Sequence, residues 1–376
     1  MRSCPLSRPF ALPISPEMPS LPKSGRLFLA LLLVGLSFAA PPGASAQDHQ
    51  MDMGDAAASE SKITIRFFGD VDAIRDADGA TSFKIGQMDL FATARLNDRW
   101  QFLAETIAES GDTNEISLEV ERALIQYLAP GGVRIAAGRY HTAIGYYNNA
   151  FHHGLWFQTA ASRPRLFAFE DQGGLLPVHD VGLTADGPIP VPGAGLKWFA
   201  EIGNGRGAPG GDPVQSGRDQ DHHKASNFAL ISRPAAVPGL QLGVSAYSDR
   251  YNTSPSTSTA VRIVATHAVY TQAPYEWLSE YTRIRRTATD GVDAVSHAWY
   301  LQAARQFKTV TPFLRYEDTN ADAHDAEIGA IGQIRGPSVG LRVDVTPSAA
   351  LKIQYGHQRN NGRTEHSVIG QVAFVF

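Results

Sequence analysis

The stretch "SRPRLFAFEDQGG" sets two guanidinium groups, Arg163 and Arg165, near two carboxylates, Glu170 and Asp171. Fixed charges of both signs can polarise a narrow passage, and low-dielectric walls around them strengthen the field. They do not make a nucleophile or a general acid. Other residues with chemical potential are more scattered. His141, His152, His153 and His179 cluster loosely around the same region, and His222-His223 forms a second pair. Zinc sites usually show tighter ligand sets at set spacing, and adjacent side chains on an extended chain point to opposite faces. The same alternation separates Ser296 from His297 and His366 from Ser367, and no G-x-S-x-G elbow is present. The expectation is no catalytic residue, no metal site and no cofactor. "DHQMDMGD" could chelate a soft metal through Met and His, but a flexible polar lead-in is the simpler reading.

The elements that must position these charges are strands. "KITIRFFGDVD" opposes Ile63, Ile65 and Phe67 to Thr64, Arg66 and Asp70, and "GLQLGVSAYSD" opposes Leu240, Leu242, Val244 and Ala246 to Gln241, Ser245 and Asp249. "SVGLRVDV" and "ALKIQYGHQ" alternate in the same way, with Val339, Leu341, Val343 and Val345, then Leu351, Ile353 and Tyr355, on the apolar side. A period of two marks strands with one wet and one apolar face. About sixteen such segments fill the chain, an even number.

The apolar face needs a partner, and the N-terminus says which. Lys23 and Arg26 precede an apolar run over residues 27–40, and Ala44-Ser45-Ala46 follows. That is a secretory signal with cleavage after Ala46, and Met18 is the better start. Residues 47–61 form the lead-in, and 62–376 the barrel described next. The only cysteine, Cys4, falls in the removed part, so neither a disulfide framework nor a thiol nucleophile is expected. A net charge of −4 with 19% charged residues leaves no basic footprint for nucleic acid. No later stretch is long and apolar enough for a helical span.

Connections alternate in length. Short turns are expected at Asn97-Asp98, Pro130-Gly131-Gly132, Pro192-Gly193, Val237-Pro238-Gly239, Ala273-Pro274, Lys308-Thr309 and Pro347-Ser348. Longer polar links are expected at 75–81, 109–115, 141–178, 204–223, 250–258, 286–293, 318–336 and 360–365. This is an all-β, membrane-spanning, antiparallel up-and-down barrel with one tight rim and one elaborated rim. Trp100, Tyr127, Tyr275, Trp277 and Phe307 sit near short turns, as an interfacial girdle requires. The last segment, "VIGQVAFVF", turns its apolar face to lipid and pairs with the first strand, so no edge stays open.

A barrel of this size leaves an aqueous lumen. Its basic candidates are Lys62, Arg66, Arg95, Arg122, Arg134, Lys197, Arg262, Arg315, Arg342 and Lys352. Its acidic candidates are Asp70, Asp89, Glu105, Glu119, Glu121, Glu201, Glu276, Glu280, Glu317 and Asp344. The two sets nearly balance, which gives a wet and weakly selective passage. Strand phase near Glu121-Arg122 is ambiguous, and a bulge there would swap faces. Phe151, Leu155, Trp156, Phe157, Leu166, Phe167 and Phe169 make the 141–178 link too apolar for an outer flap. The loop is therefore read as folding inward, with Arg163, Arg165, Glu170 and Asp171 at the constriction. Arg66, Arg95, Arg134, Arg315, Arg342 and Lys352 are read as pore-lining.

"GVRIAAGRYHTAIGYYNNAFHHGLWFQ", with its Gly138-Arg139 strand end and Gly- and aromatic-rich loop, resembles the strand-to-third-loop junction of bacterial porins. The chain also loosely resembles the phosphate-selective porins O and P, although no arginine ladder or lysine cluster is evident. The terminal Phe376 resembles the signal by which Gram-negative outer-membrane barrels are recognised for assembly. These likenesses imply an outer-membrane porin passing small hydrophilic solutes or ions, anions such as phosphate among them. They also imply contact with outer-membrane lipid and the barrel-assembly machinery, and a homotrimer. The rivals are a non-conducting receptor barrel and a barrel lipid hydrolase.

Overall fold

Sixteen strands follow one another in chain order, each pairing antiparallel with its neighbours, and the last pairs with the first to close a barrel. The computed structural model describes residues 63–376, apart from 76–78, 80, 111–114, 152–153, 169–173, 207–218, 220–221 and 255 and the side chain at 253. The expected export signal, the lead-in and Lys62 lie outside the described residues. The first eight strands are β1 (Ile63–Arg75), β2 (Thr81–Arg95), β3 (Trp100–Ser110), β4 (Ile116–Ala129), β5 (Val133–His141), β6 (His179–Ile189), β7 (Leu196–Gly203) and β8 (Ala225–Ser232). The second eight are β9 (Leu240–Ser254), β10 (Thr257–Tyr270), β11 (Tyr275–Ala288), β12 (Asp293–Arg305), β13 (Val310–Asn320), β14 (Gln333–Thr346), β15 (Ala349–Asn360) and β16 (Arg363–Val375). Among the described residues no helix is long and apolar enough to cross a membrane.

The alternation sorts as expected. Ile63, Ile65, Leu242, Val244, Val339, Leu341 and Val345 are exposed on the outside, while Gln241, Ser245, Lys352, Gln354 and Gln371 are buried inside. All seven expected short turns connect strands at one rim, where Trp100, Tyr275, Trp277, Phe307 and Phe376 stand exposed. Tyr127 packs on Trp100 there, with ring centroids 5.1 Å apart. The seam is closed by main-chain bonds from Phe67 N to Phe376 O at 2.8 Å and from Phe376 N to Phe67 O at 3.0 Å. The two rings stack at 5.1 Å.

Two expectations change and one open point is settled. The opposite rim is less elaborated than the sequence implied, because β9 and β10 extend to Ser254 and Thr257, and β15 and β16 to Asn360 and Arg363. Polar residues there continue the ladders past the apolar band instead of forming loops. The suspected bulge is present: Glu105 pairs with Arg122 and Thr106 with Val120, so Glu121 is the extra residue. Arg262 does not face the lumen. It is exposed and paired with Arg285, while Val261, Ile263, Ala265 and Val269 of the same strand are buried inward. The inner face of β10 is apolar because it packs on protein rather than water.

Candidate pore constriction

What β10 packs on is the connection between β5 and β6. Thr142 ties its two ends, donating from N to Val178 O at 3.0 Å and from Oγ1 to Pro177 O at 2.5 Å. Between them lie one helical turn, α1 (Tyr147–Ala150), and two single 3-10 turns at Leu155–Phe157 and Arg165–Phe167. Tyr147, Phe151, Leu166, Phe167, Leu175 and Leu176 are buried in one cluster with Tyr251, Val261, Ile263 and Tyr300 of the wall. Phe167 stacks on Tyr147 at 5.6 Å and meets Tyr300 edge-on at 6.2 Å. Burial pushes the Tyr147 phenol well above its usual range, and it donates as a neutral hydroxyl to Gln158 Oε1 at 2.7 Å. The loop fills part of the lumen with a dry core.

Charged wall residues hold the loop by its main chain. Carboxylates accept from loop amides: Ala143 N to Glu201 Oε1 at 3.0 Å, Tyr146 N and Tyr147 N to Glu280 at 2.6 and 2.9 Å, and Arg165 N to Glu317 Oε2 at 2.6 Å. Bases donate to loop carbonyls. Arg315 Nη1 reaches Ser162 O at 2.7 Å, Arg342 Nη1 reaches Gln158 O at 3.0 Å, and Lys352 Nζ reaches Ala160 O at 3.1 Å. Arg342 also bonds Trp156 O, and Lys352 also bonds Leu155 O. Gln354 Oε1 accepts from Ala161 N and Ser162 N at 3.1 and 3.2 Å. Hydrogen bonds with one ionised partner are stronger than neutral ones, and they offset part of the cost of burying these groups.

This changes the assignment of three pore-lining candidates. Arg315, Arg342 and Lys352 do point inward, but they clamp the loop rather than line open space. Arg134 binds Asp186 at 3.1 Å, and Asp186 also binds Lys197 at 2.8 Å. Arg95 lies on the inward phase opposite Gln101, and Arg66 is exposed opposite Phe91. Sequence reasoning could not see the clamps, because main-chain groups nearly two hundred positions away carry no side-chain signature.

Among the described residues, a cavity of about 450 Å³ lies between the loop and the wall of β1, β2, β3 and β13 to β16. Arg163 and Arg165 enter it from the loop, and Asp70, Asp72, Glu109 and Glu317 from the wall, with Lys84 beside them. The cavity brings both expected arginines together. Arg163 is braced by its own loop, donating to Phe167 O at 2.8 Å and Phe151 O at 3.1 Å. Glu170 and Asp171, the expected acids, lie outside the described residues. The acids found facing the arginines belong to the wall, and Asp72, Lys84 and Glu109 were not singled out by sequence.

Away from the cavity, Glu121, His141 and His179 bring their ligand-type atoms within 4.8 Å of one another, all buried. The sequence linked the two histidines but not the carboxylate, whose phase depends on the bulge. Ser296 is buried inward while its neighbour His297 pairs with outward-facing Arg283, so no Ser–His couple forms there.

No protein-family model matches the chain. No curated protein matches it either. Solved structures do match. The anion-selective porin of Comamonas acidovorans is 12% identical, covers 84% of this chain and 100% of its own, and superposes with a TM-score of 0.59. The outer-membrane channel DcaP of Acinetobacter baumannii is 10% identical over 86% of this chain and 99% of its own, with a TM-score of 0.58. OmpT, an outer-membrane protein of Vibrio cholerae, is 9% identical in its trimer form, over 85% and 100%, with a TM-score of 0.57. At these identities the likeness is one of fold: a closed, sixteen-stranded antiparallel barrel of the kind these porins have.

Proposed function

We propose that this protein is an outer-membrane porin through which small hydrophilic solutes diffuse along the narrow space between the inward loop and the wall. The observation that carries the reading is the cavity with Arg163 and Arg165 on one side and Asp70, Asp72, Glu109 and Glu317 on the other. Opposed charges create a transverse field that orients a dipolar solute without a strong preference for either sign. This lining argues against strict selectivity for phosphate or other anions, since wall carboxylates would repel them. Export to the outer membrane, recognition of Phe376 during assembly, and a homotrimer complete the proposal. The reading gives the chain no catalytic role.

The test is single-channel recording in planar bilayers, with reversal potentials in a potassium chloride gradient. Small conductance steps with a reversal potential near zero are expected. A second reading, a barrel that binds a ligand without conducting, draws support from the dry core that fills part of the lumen. Folded, inserted protein that gives no steps would overturn the channel in its favour.

A further inference from the structure

Glu121, His141 and His179 stand in one row across three neighbouring strands. Arg139 of β5 pairs with Ala123 of β4, and two residues further along each strand are His141 and Glu121. His141 pairs in turn with His179 of β6. The two imidazoles lie 5.2 Å apart, ring centre to ring centre. His179 Nε2 is in direct contact with Glu121 Oε2, and Glu105 Oε2 stands 3.7 Å from His141 Nε2. All four side chains are buried.

We infer that this row is a binding site for a divalent first-row metal ion of the zinc class, with His141, His179 and Glu121 as ligands and Glu105 placed to complete the set. Two imidazole nitrogens with carboxylate oxygens are a donor set that suits zinc. Metal–ligand bonds of about 2.0–2.2 Å place tetrahedral ligands roughly 3.4 Å apart, within the 4.8 Å spread found here. Small rotations of the side chains therefore suffice. The ligands sit on strands held in register, so the backbone is already organised for binding. His141 ends β5 and His179 begins β6, at the point where the chain turns from the wall into the long loop.

The surroundings also hold the ligands in place. Asp89 lies beside Glu105. Two bases answer them: Arg122 is bound to Glu105 through Nε, and Arg139 donates from Nε to the Glu121 main-chain oxygen at 3.1 Å. A bound ion would replace the His179–Glu121 contact and hold both groups, leaving Arg122 on Glu105 as an outer partner that orients it. The bulge at Glu121 is what brings a carboxylate to this row, and bulges often re-aim a side chain in this way.

The test uses the mature protein, folded in detergent and stripped with a chelator. Titration with Co²⁺ should give one ion per protomer with the visible absorption of a four-coordinate site, displaced by Zn²⁺. His141→Gln, His179→Gln and Glu121→Gln should each weaken binding roughly tenfold or more, since even outer-shell changes at metal sites cost ~10–100-fold. Variants are compared only where heat-modifiable gel mobility shows a folded barrel. For wild type, X-ray absorption at the zinc edge should show two imidazole nitrogens, and this arm needs no variant to fold. Absence of stoichiometric binding would overturn the site and leave a structural His–carboxylate cluster. So would a zinc sphere without paired imidazoles, or binding unchanged in folded variants.

Discussion

Arg315 grips Ser162 twice, with Nη1 on the carbonyl oxygen at 2.7 Å and Nη2 on the hydroxyl at 2.8 Å. The guanidinium is 1% exposed, so neither bond competes with bulk water. A charge-assisted bond of this kind contributes about 1.5–3 kcal/mol. Arg315→Met should therefore loosen the loop by about 3 kcal/mol or more while leaving the barrel ladder intact. Expected readouts are larger, noisier conductance steps and faster proteolysis within the loop. Conductance and proteolysis identical to wild type would show that the clamp does not hold the loop in place.

Charge at the cavity gives a second prediction. Arg163→Ser with Arg165→Ser removes the loop's basic pair and leaves the wall carboxylates, so reversal potentials should shift toward cations. Asp70→Asn with Asp72→Asn should shift them the other way. Both shifts should shrink between 0.1 and 1 M salt as the Debye length falls from ~10 to ~3 Å. Reversal potentials unmoved by either pair would place the conducting path elsewhere.

Outward and inward positions should respond differently to the same substitution. Val339 is exposed at the middle of β14 and Val244 in the first third of β9, so Val339→Arg should cost ~2–4 kcal/mol in lipid and Val244→Arg less. Ser367→Arg, facing the cavity, should cost little stability and lower the conductance instead. Unfolding in urea with lipid vesicles measures the first effect, and bilayer recording the second. Equal destabilisation at all three sites would contradict the lipid-facing assignment.

Removing Phe376 takes away two main-chain bonds to Phe67 and one stacked ring at the seam. The deletion should reduce the heat-modifiable, folded fraction in outer-membrane preparations. An unchanged folded fraction would mean that closure depends on the rest of the β1–β16 ladder alone.

The barrel was legible in the sequence because strand period and turn residues are local properties. Leu242 beside Gln241 announces a face, and Pro130-Gly131-Gly132 announces a turn, with Gly131 and Gly132 both at positive φ. Arg262 failed for a physical reason: polar-in and apolar-out holds only where water fills the lumen, and the loop excludes water from β10. Gln354 reads as a wet lumen residue in sequence, yet it is 3% exposed and bonded to Ser162. Glu121 needed the register of β3 to reveal its bulge. For Arg262 and Gln354 the deciding contact is with a loop far away in the chain, which one sequence does not record; for Glu121 the sequence raised the bulge and only the register settled it.

The wall grips the loop largely through amide hydrogens and carbonyl oxygens, and every residue except proline offers both. Attachment is therefore blind to what most of the loop's side chains are. Positions such as Arg163 and Arg165 can be exchanged over evolutionary time without redesigning the anchors on β7, β11, β13, β14 and β15. One scaffold of this kind could be retuned for new solutes by a few surface changes on the loop, while the residues that keep it seated stay as they are.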